Sequence, residues 1–393
     1  MKKMVSVLGS TGSIGLNAIN IFKKKKNIFK YNLLSANKNY NLICKQIDSL
    51  KPKIFVINDY KIFIKIKKKY KNKKVKILNE IKLNKNFHKS DITVAAIPGI
   101  AGLLPTISMI KKSKKILIAN KESIICGWNL IKKAAKKNKT IIVPVDSEHF
   151  SIMKLMENLD QSQIKKVYLT ASGGPFLNYK LSKLKNVKPN EAIKHPKWKM
   201  GKKISIDSAT LMNKMLELIE AQKLFSITKD KIEILIHPQS LVHAVIELNN
   251  GIYKFISHET TMLIPLSNAI FDGNLRIDDF IKTKKSKKNL FSINDLNFHK
   301  VDIKRFPTFR LKDRLIEHVS TPIIINAANE ILVDQYLDKK IPFNSFFKYL
   351  SLVMKDRNYR KYAIKEPKNI SQIYLIDKWS REITLKYIRK KNA

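Results

Sequence analysis

The sequence predicts an α/β protein in three parts: a doubly wound N-terminal domain, an α+β middle domain and a small C-terminal helical domain. Three observations carry this expectation. Short apolar, β-branched runs alternate with helix-like stretches across residues 1–146, and beyond 310 the signals are helical. Between them the alternation gives way to loops, one long helical stretch and a pair of strand-like runs. At 393 residues the chain is too long for one ordinary core, and its 44% apolar content is enough to fill more than one.

Met4–Leu8 is a short apolar run, as a strand buried on both faces should be. Gly9 to Gly15 reads as a turn, and Leu16–Phe22 continues with helical apolar spacing. Further strands are expected at Tyr31–Ala36, Ile54–Ile57, Asp91–Ala96, Lys115–Ala119 and Ile141–Val145, with helices between most of them. That is the Rossmann-like pattern, assigned here to residues 1–146. The middle domain, 147–273, holds a Ser172-Gly173-Gly174-Pro175 loop, an aperiodic His/Pro/Trp/Met-bearing segment at 190–203 and an amphipathic helix at Ser208–Phe225. Strands at Ile232–Ile236 and Leu241–Leu248 flank His237-Pro238-Gln239-Ser240. Residues 274–310 are polar and basic and read as a linker; 311–393 form the helical domain with a basic tail.

The formal net charge is +46, from 77 Lys+Arg against 31 Asp+Glu. Such an excess suits a nucleic acid or an acidic membrane surface. No zinc-finger, RRM or KH pattern accompanies it, and Lys, Ile and Asn are enriched together, as A/T-rich codons would produce. Solvated lysine faces are therefore expected, with no nucleic-acid partner and no membrane. No apolar run reaches the roughly 18 residues of a membrane helix. The basic-then-apolar start resembles a signal peptide only superficially, because its glycines sit at turn spacing. Two distant cysteines, Cys44 and Cys126, argue against a disulfide framework and for a reducing, cytoplasmic setting.

Gly9-Ser10-Thr11-Gly12-Ser13-Ile14-Gly15 follows a strand and opens a helix. Glycines there let the backbone turn tightly and approach a pyrophosphate, and the helix N-terminus supplies N–H groups and partial positive charge. The spacing is GxxGxxG rather than GxGxxG, which a plain strand–helix turn could also carry. The second strand ends at Ser35-Ala36-Asn37-Lys38-Asn39 without the acidic residue that binds an NAD ribose. Lys38 would instead pair with a 2′-phosphate, favouring NADP, although a chance lysine is common in this composition.

Asp146 and Glu148 stand two apart where the strand Ile141–Val145 ends. In extended chain both would lie on one side, at the sheet edge that faces a ligand crevice. Convergent carboxylates repel unless protonated or bound to a cation, and oxygen donors suit Mg²⁺ or Mn²⁺. The helix Ser208–Phe225 offers a third ligand: Asn213 and Lys214 lie four and three residues before Glu217, on one helical face, with Ser208 as a natural N-cap. A solvated face with i,i+3 ion pairs fits the same spacing.

The motifs GSTGSIG (9–15), ANKES (119–123), VDSEH (145–149), SGGPF (172–176), HPKWKMG (195–201), DSATLMNK (207–214), LELIEA (216–221), HPQS (237–240) and NAANE (326–330) together resemble those of the 1-deoxy-D-xylulose 5-phosphate reductoisomerase family, in its order and with similar spacing. The resemblance implies a homodimeric enzyme that uses NADPH and Mg²⁺ or Mn²⁺, with Co²⁺ as a further option. It would rearrange and reduce a sugar phosphate to 2-C-methyl-D-erythritol 4-phosphate in non-mevalonate isoprenoid biosynthesis. It assigns Thr11, Gly12, Ser13 and Ile14 to the pyrophosphate, Asn37, Lys38 and Asn39 to the adenosine end, and Asn120, Glu122 and Gly201 to the rest of the cofactor. Asp146, Glu148 and Glu217 would hold the metal. Lys121, Ser147, Glu148, His195, Trp198 and Glu217 would face the substrate, and Ser172, Ser208, Asn213 and Lys214 its phosphate. Lys121, Glu148, His195 and Lys214 are the residues it places at the chemistry, and 195–201 would be a mobile lid.

The chain departs from the family pattern at Asn37, Pro98, Ile100 and Met215, and in HETTMLIP (258–265), which lacks an expected Pro-Asp and Arg. These changes are expected to lower rate or stability before they abolish function. The rival reading is another Rossmann-fold dehydrogenase acting on an aldehyde or hydroxy acid. It would need no metal and would leave the motifs beyond residue 150 without a purpose.

Overall fold

The computed structural model describes residues 2–81, 87–198, 200–281 and 296–392. The described residues form two compact units: those within 2–123, 127–150 and 261–281 make the first, and those within 124–126, 151–260 and 296–392 the second.

The first unit is built on seven strands: β1 (Lys3–Leu8), β2 (Phe29–Ala36), β3 (Ile54–Ile57), β4 (Lys76–Leu78), β5 (Ser90–Ala95), β6 (Ser113–Ile118) and β7 (Ile141–Pro144). All pair in parallel, in the order β4-β3-β2-β1-β5-β6-β7. Helices α1 (Ser13–Lys24), α2 (Tyr40–Leu50), α3 (Tyr60–Lys69), α4 (Leu103–Ile110), α5 (Lys121–Asn138) and α6 (Ser147–Leu155) follow their strands. Val5, Val7, Leu8, Leu33, Leu34 and Phe55 are wholly buried, as strands covered on both faces require. The strand order reverses between β1 and β5, and open α/β sheets bind ligands at such a switch point, beyond the strand C-termini. Each expected strand is present within two residues at either end. β4 was not anticipated; it is three residues long inside a lysine-rich run.

Gly9 ends β1 with φ +75°, and a Cβ there would lie 2.6 Å from the carbonyl oxygen of Ala96. At Gly15, in the first turn of α1, a Cβ would come within 2.2 Å of the Gly9 oxygen. Only glycine lets the turn fold back on itself this tightly.

The second unit has a five-stranded sheet of β8 (Ile164–Ala171), β9 (Ile232–Ile236), β10 (Val242–Leu248), β11 (Tyr253–Ser257) and β12 (His299–Lys300), in the order β11-β10-β8-β9-β12. β8 and β9 are parallel and the other pairings antiparallel. α7 (Pro189–Ala192) precedes two helices, α8 (Lys202–Ala209) and α9 (Met212–Phe225). The single helix expected at Ser208–Phe225 is therefore broken. Leu211 takes a left-handed conformation, φ +65°, while only 1% exposed. Ser208 consequently sits in the last turn of α8 and caps nothing, which corrects its expected N-cap role. Two side-chain bonds precede the break: Thr210 Oγ1 donates back one turn to Ile206 O at 3.0 Å, and Thr308 Oγ1, from a distant segment, donates to Thr210 O at 2.5 Å. The solvated face is absent too, because Lys214 through Ala221 are all buried.

α10 (Leu263–Phe271) packs within the first unit, on α1 and β6. Lys115 Nζ donates to Ala269 O at 2.9 Å, and the Phe29 and Phe271 rings lie 5.8 Å apart. Within the stretch read as a linker, 282–295 lies outside the described residues, while β12 and a 3₁₀ turn at Pro307–Arg314 are ordered structure. α11 (Thr321–Leu337), α12 (Phe346–Met354), α13 (Tyr359–Ala363) and α14 (Ile370–Asn392) complete the chain as packed helices.

Gly9→Ala should destabilise the protein by at least about 1–3 kcal/mol, from left-handed strain plus a backbone clash. Chemical denaturation of purified protein measures it, and an unchanged midpoint would contradict this account of the turn.

Candidate active site

The glycine turn leaves the carboxyl end of β1 at the switch point. Gly9 N donates to Ser35 Oγ at 3.1 Å and Ser10 N to Ser35 O at 2.7 Å, which ties the turn to β2. Ser10 Oγ donates to Gln46 Oε1 at 2.6 Å, and Gln46 Nε2 donates back to Ser10 O at 2.9 Å. Gln46 is 3% exposed, and the sequence reading missed it. A lone glutamine within an amphipathic helix carries no signal until α2 is packed against the turn. Gly12 and Ser13 remain exposed and Thr11 and Ile14 half-buried at the mouth. Asn37, Lys38 and Asn39 are exposed beyond β2, and Asn39 also caps α2 by accepting from Leu42 N at 3.1 Å.

Asn120 caps α5, its Oδ1 accepting from Ser123 N at 2.7 Å. Its Nδ2 donates to Ile97 O at 2.6 Å, to Gly99 O at 3.0 Å and to Glu122 Oε2 at 3.1 Å. The ANKES motif thus fastens the loop after β5 and orients Glu122. Lys121 Nζ lies 2.8 Å from Asp146 Oδ2.

Asp146 and Glu148 are arranged by a different route from the expected extended strand. β7 stops at Pro144, and Glu148 sits in the first turn of α6. Their carboxylate oxygens still come within 4.8 Å of each other, and a nitrogen of the fully buried His149 lies equally close to Asp146. Ser147 Oγ donates to Glu148 Oε2 at 2.7 Å. Acidic groups in a helix's first turn are favoured by its dipole.

In the second unit Glu217 is wholly buried on α9. It accepts a short hydrogen bond from Asn213 Nδ2, and Lys214 Nζ is 2.5 Å from its Oε2. The Ser172-Gly173-Gly174 loop leaves β8 and lies against the end of α8: a Cβ on Gly174 would be 3.0 Å from Ser208 O. Asp207, 1% exposed, accepts from Asn329 Nδ2 at 2.7 Å and so locks α8 to the NAANE segment of α11. Sequence reasoning assigned neither residue a role.

His195 is half-buried. Its Nδ1 accepts from the backbone N–H of Lys197 at 3.1 Å and of Trp198 at 2.9 Å. Nε2 then carries the proton and donates to Ser172 Oγ at 2.8 Å. Burial pushes the imidazole pKa down to about 4. The Trp198 ring meets His243 edge-on at 5.9 Å, and His243 stacks on His258 at 4.0 Å. His258 opens the segment that departs from the family pattern. Gly201 is exposed at the N-cap of α8. Lys199, inside the expected lid, lies outside the described residues. Met215, another departure, is fully buried core.

A parallel dinucleotide-type sheet with a glycine turn at its switch point and paired carboxylates at its carboxyl edge defines a nucleotide-binding α/β protein with a place for a cation. The family profile described as 1-deoxy-D-xylulose 5-phosphate reductoisomerase matches residues 5–127, its C-terminal domain profile residues 142–225, and a DXP reductoisomerase C-terminal domain profile residues 259–383. The 1-deoxy-D-xylulose 5-phosphate reductoisomerase of Pelagibacter ubique is 44% identical over 376 residues, covering 94% of this chain and 96% of that one. That of Wolbachia pipientis wMel is 39% identical, covering 99% and 98%. The Zymomonas mobilis enzyme solved with NADPH superposes with a TM-score of 0.86 at 30% identity, covering 99% of each chain. A DOX-P reductoisomerase solved with NADPH, fosmidomycin and magnesium gives 0.88 at 29% identity, covering 98% of each. The chain belongs to the 1-deoxy-D-xylulose 5-phosphate reductoisomerase family.

His195 should therefore titrate near pH 4 and remain the neutral Nε2–H tautomer above about pH 5. Its folded pKa lies below the unfolded value of about 6.5, so its stabilising contribution is full above that value and is lost as pH falls towards 4. Nitrogen-15 NMR of the imidazole reads both tautomer and pKa; a midpoint near 6.5 would refute the assignment.

Proposed function

We propose that this chain converts 1-deoxy-D-xylulose 5-phosphate to 2-C-methyl-D-erythritol 4-phosphate, with NADPH as hydride source and Mg²⁺ or Mn²⁺ as cation. The observation that carries the reading is the shared carboxyl edge of one parallel sheet: the glycine turn follows β1, the Asn120–Glu122 cap follows β6, and Asp146 and Glu148 follow β7. The donor set fits a hard divalent ion, because carboxylate oxygens of Asp146 and Glu148 approach within 4.8 Å. Glu217 is the third ligand in this reading. A bound Mg²⁺ or Mn²⁺ supplies Lewis-acid stabilisation to the carbonyl and hydroxyl oxygens of the substrate; Co²⁺ has the same donor compatibility.

The chain's own groups do the rest. Thr11, Gly12, Ser13 and Ile14 cradle the pyrophosphate at the N-terminus of α1, and Asn37, Lys38 and Asn39 take the adenosine 2′-phosphate end. Asn120, Glu122 and Gly201 contact the remainder of the cofactor. Ser172, Ser208, Asn213 and Lys214 anchor the substrate phosphate, supplying binding energy away from the reacting carbons. Lys121, Ser147 and Glu148 face its hydroxyls. His195 donates from Nε2, with Trp198 above the substrate, and closure of 195–201 excludes water from the reactive aldehyde.

Homodimerisation is part of the proposal. β11 is the outer strand of its sheet; Tyr253 and Phe255 on it are 58% and 50% exposed, and Ile252 just before it is 54% exposed. An unprotected apolar edge invites a second copy. A cytoplasmic location is supported by two buried thiols, Cys44 and Cys126. No helix among the described residues is long and apolar enough to cross a membrane.

NADPH absorbance should fall on addition of the sugar phosphate with Mn²⁺, stop with EDTA, and drop at least about 100-fold in rate for Glu217→Gln. Activity that survives both treatments rejects the reading. In light scattering the wild type should run as a dimer and Phe255→Lys should shift it towards monomer; a monomeric wild type rejects the dimer.

A further inference from the structure

Asp146 and Glu217, both given to the cation, each hold a lysine in this structure. Lys121 Nζ sits 2.8 Å from Asp146 Oδ2, with side chains 10% and 19% exposed. Lys214 Nζ sits 2.5 Å from Glu217 Oε2, with side chains 5% and 1% exposed. One pair joins the start of α5 to the end of the neighbouring strand β7, and the other spans one turn of α9.

Buried carboxylates are costly without a counter-charge, so each ammonium has a clear role while no metal is bound. A divalent ion changes that balance. It takes the same oxygen lone pairs, and it places two positive charges beside each ammonium in surroundings that screen poorly. Lysine suits such an exchange. Its charge is a single point on a flexible four-carbon stem, and it moves several ångströms without moving the backbone. An ammonium displaced from a carboxylate needs another anion, and an anionic phosphate substrate supplies one.

We infer that Lys121 and Lys214 are exchange cations: metal binding displaces them from Asp146 and Glu217 and turns both ammonium groups towards the phosphorylated substrate. The inference rests on the assignment of the metal to Asp146, Glu148 and Glu217. It adds a thermodynamic linkage. Metal alone binds against two resident ammonium groups, whereas metal and phosphate bind with positive coupling, and each raises the other's affinity by the same factor.

The test is Mn²⁺ binding to the full chain, read from the signal of unbound Mn²⁺ in electron paramagnetic resonance, with neither NADPH nor sugar phosphate present. Lys121→Met and Lys214→Met should each bind Mn²⁺ at least about fivefold tighter than wild type. Saturating inorganic phosphate should tighten wild-type Mn²⁺ binding by a similar factor, and Lys214→Met should lose that enhancement. Met variants that bind Mn²⁺ as wild type does, or more weakly, overturn the exchange and leave the lysines as props for the carboxylates. A wild type that binds no Mn²⁺ overturns the metal assignment itself, and the exchange with it. Should Lys214→Met fail to fold, Lys121→Met and Lys121→Gln, at the more exposed pair, decide the outcome.

Discussion

Parallel pairing is the constraint from which the first unit's chemistry follows. When every strand runs the same way, every loop that leaves a strand's carboxyl end emerges on one edge. The glycine turn, the Asn120 cap and the Asp146–Glu148 pair come from segments more than a hundred residues apart at the extremes, yet all leave that edge. Their placement needs no long-range side-chain code. It needs only that β1, β6 and β7 pair in parallel within one sheet.

The second unit works under a different constraint. α9 is buried from Lys214 to Ala221, so the polar residues of that stretch must be satisfied by neighbours and not by water. Asn213, Lys214 and Glu217 answer one another within one turn, while Asp207 and Asn329 join α8 to α11. A buried polar set of this kind loses more from one unmatched member than an apolar core loses from one methyl group. The left-handed Leu211 sits in the same setting, directly after Thr210, whose hydroxyl and carbonyl are both bonded.

Much of this was legible in the sequence because the signals were local. Doubly buried strands are continuous apolar runs, and Met4–Leu8 or Ile54–Ile57 needs no partner to be recognised. The glycine turn and VDSEH announce their positions by residue type. What stayed hidden depended on neighbours distant in the chain. Nothing at Thr210-Leu211 resembles a helix stop, since there is neither glycine nor proline, so the break between α8 and α9 could not be read from periodicity. The alternation rule brought Asp146 and Glu148 together for the wrong reason: a strand was assumed where a helix begins. Gln46 carries no pattern at all, and Asp207, although it opens a motif, has no partner until the helices that bear them are packed.

The imidazole of His195 sits inside a small closed loop of its own making, since the two amides that follow it point back at its Nδ1. Any replacement that lacks an acceptor at that spot removes the pin of a hairpin-like bend as well as a proton carrier. An inactive alanine variant would thus conflate lost chemistry with a slackened chain. Asparagine, whose amide oxygen can stand in for Nδ1, would separate the two.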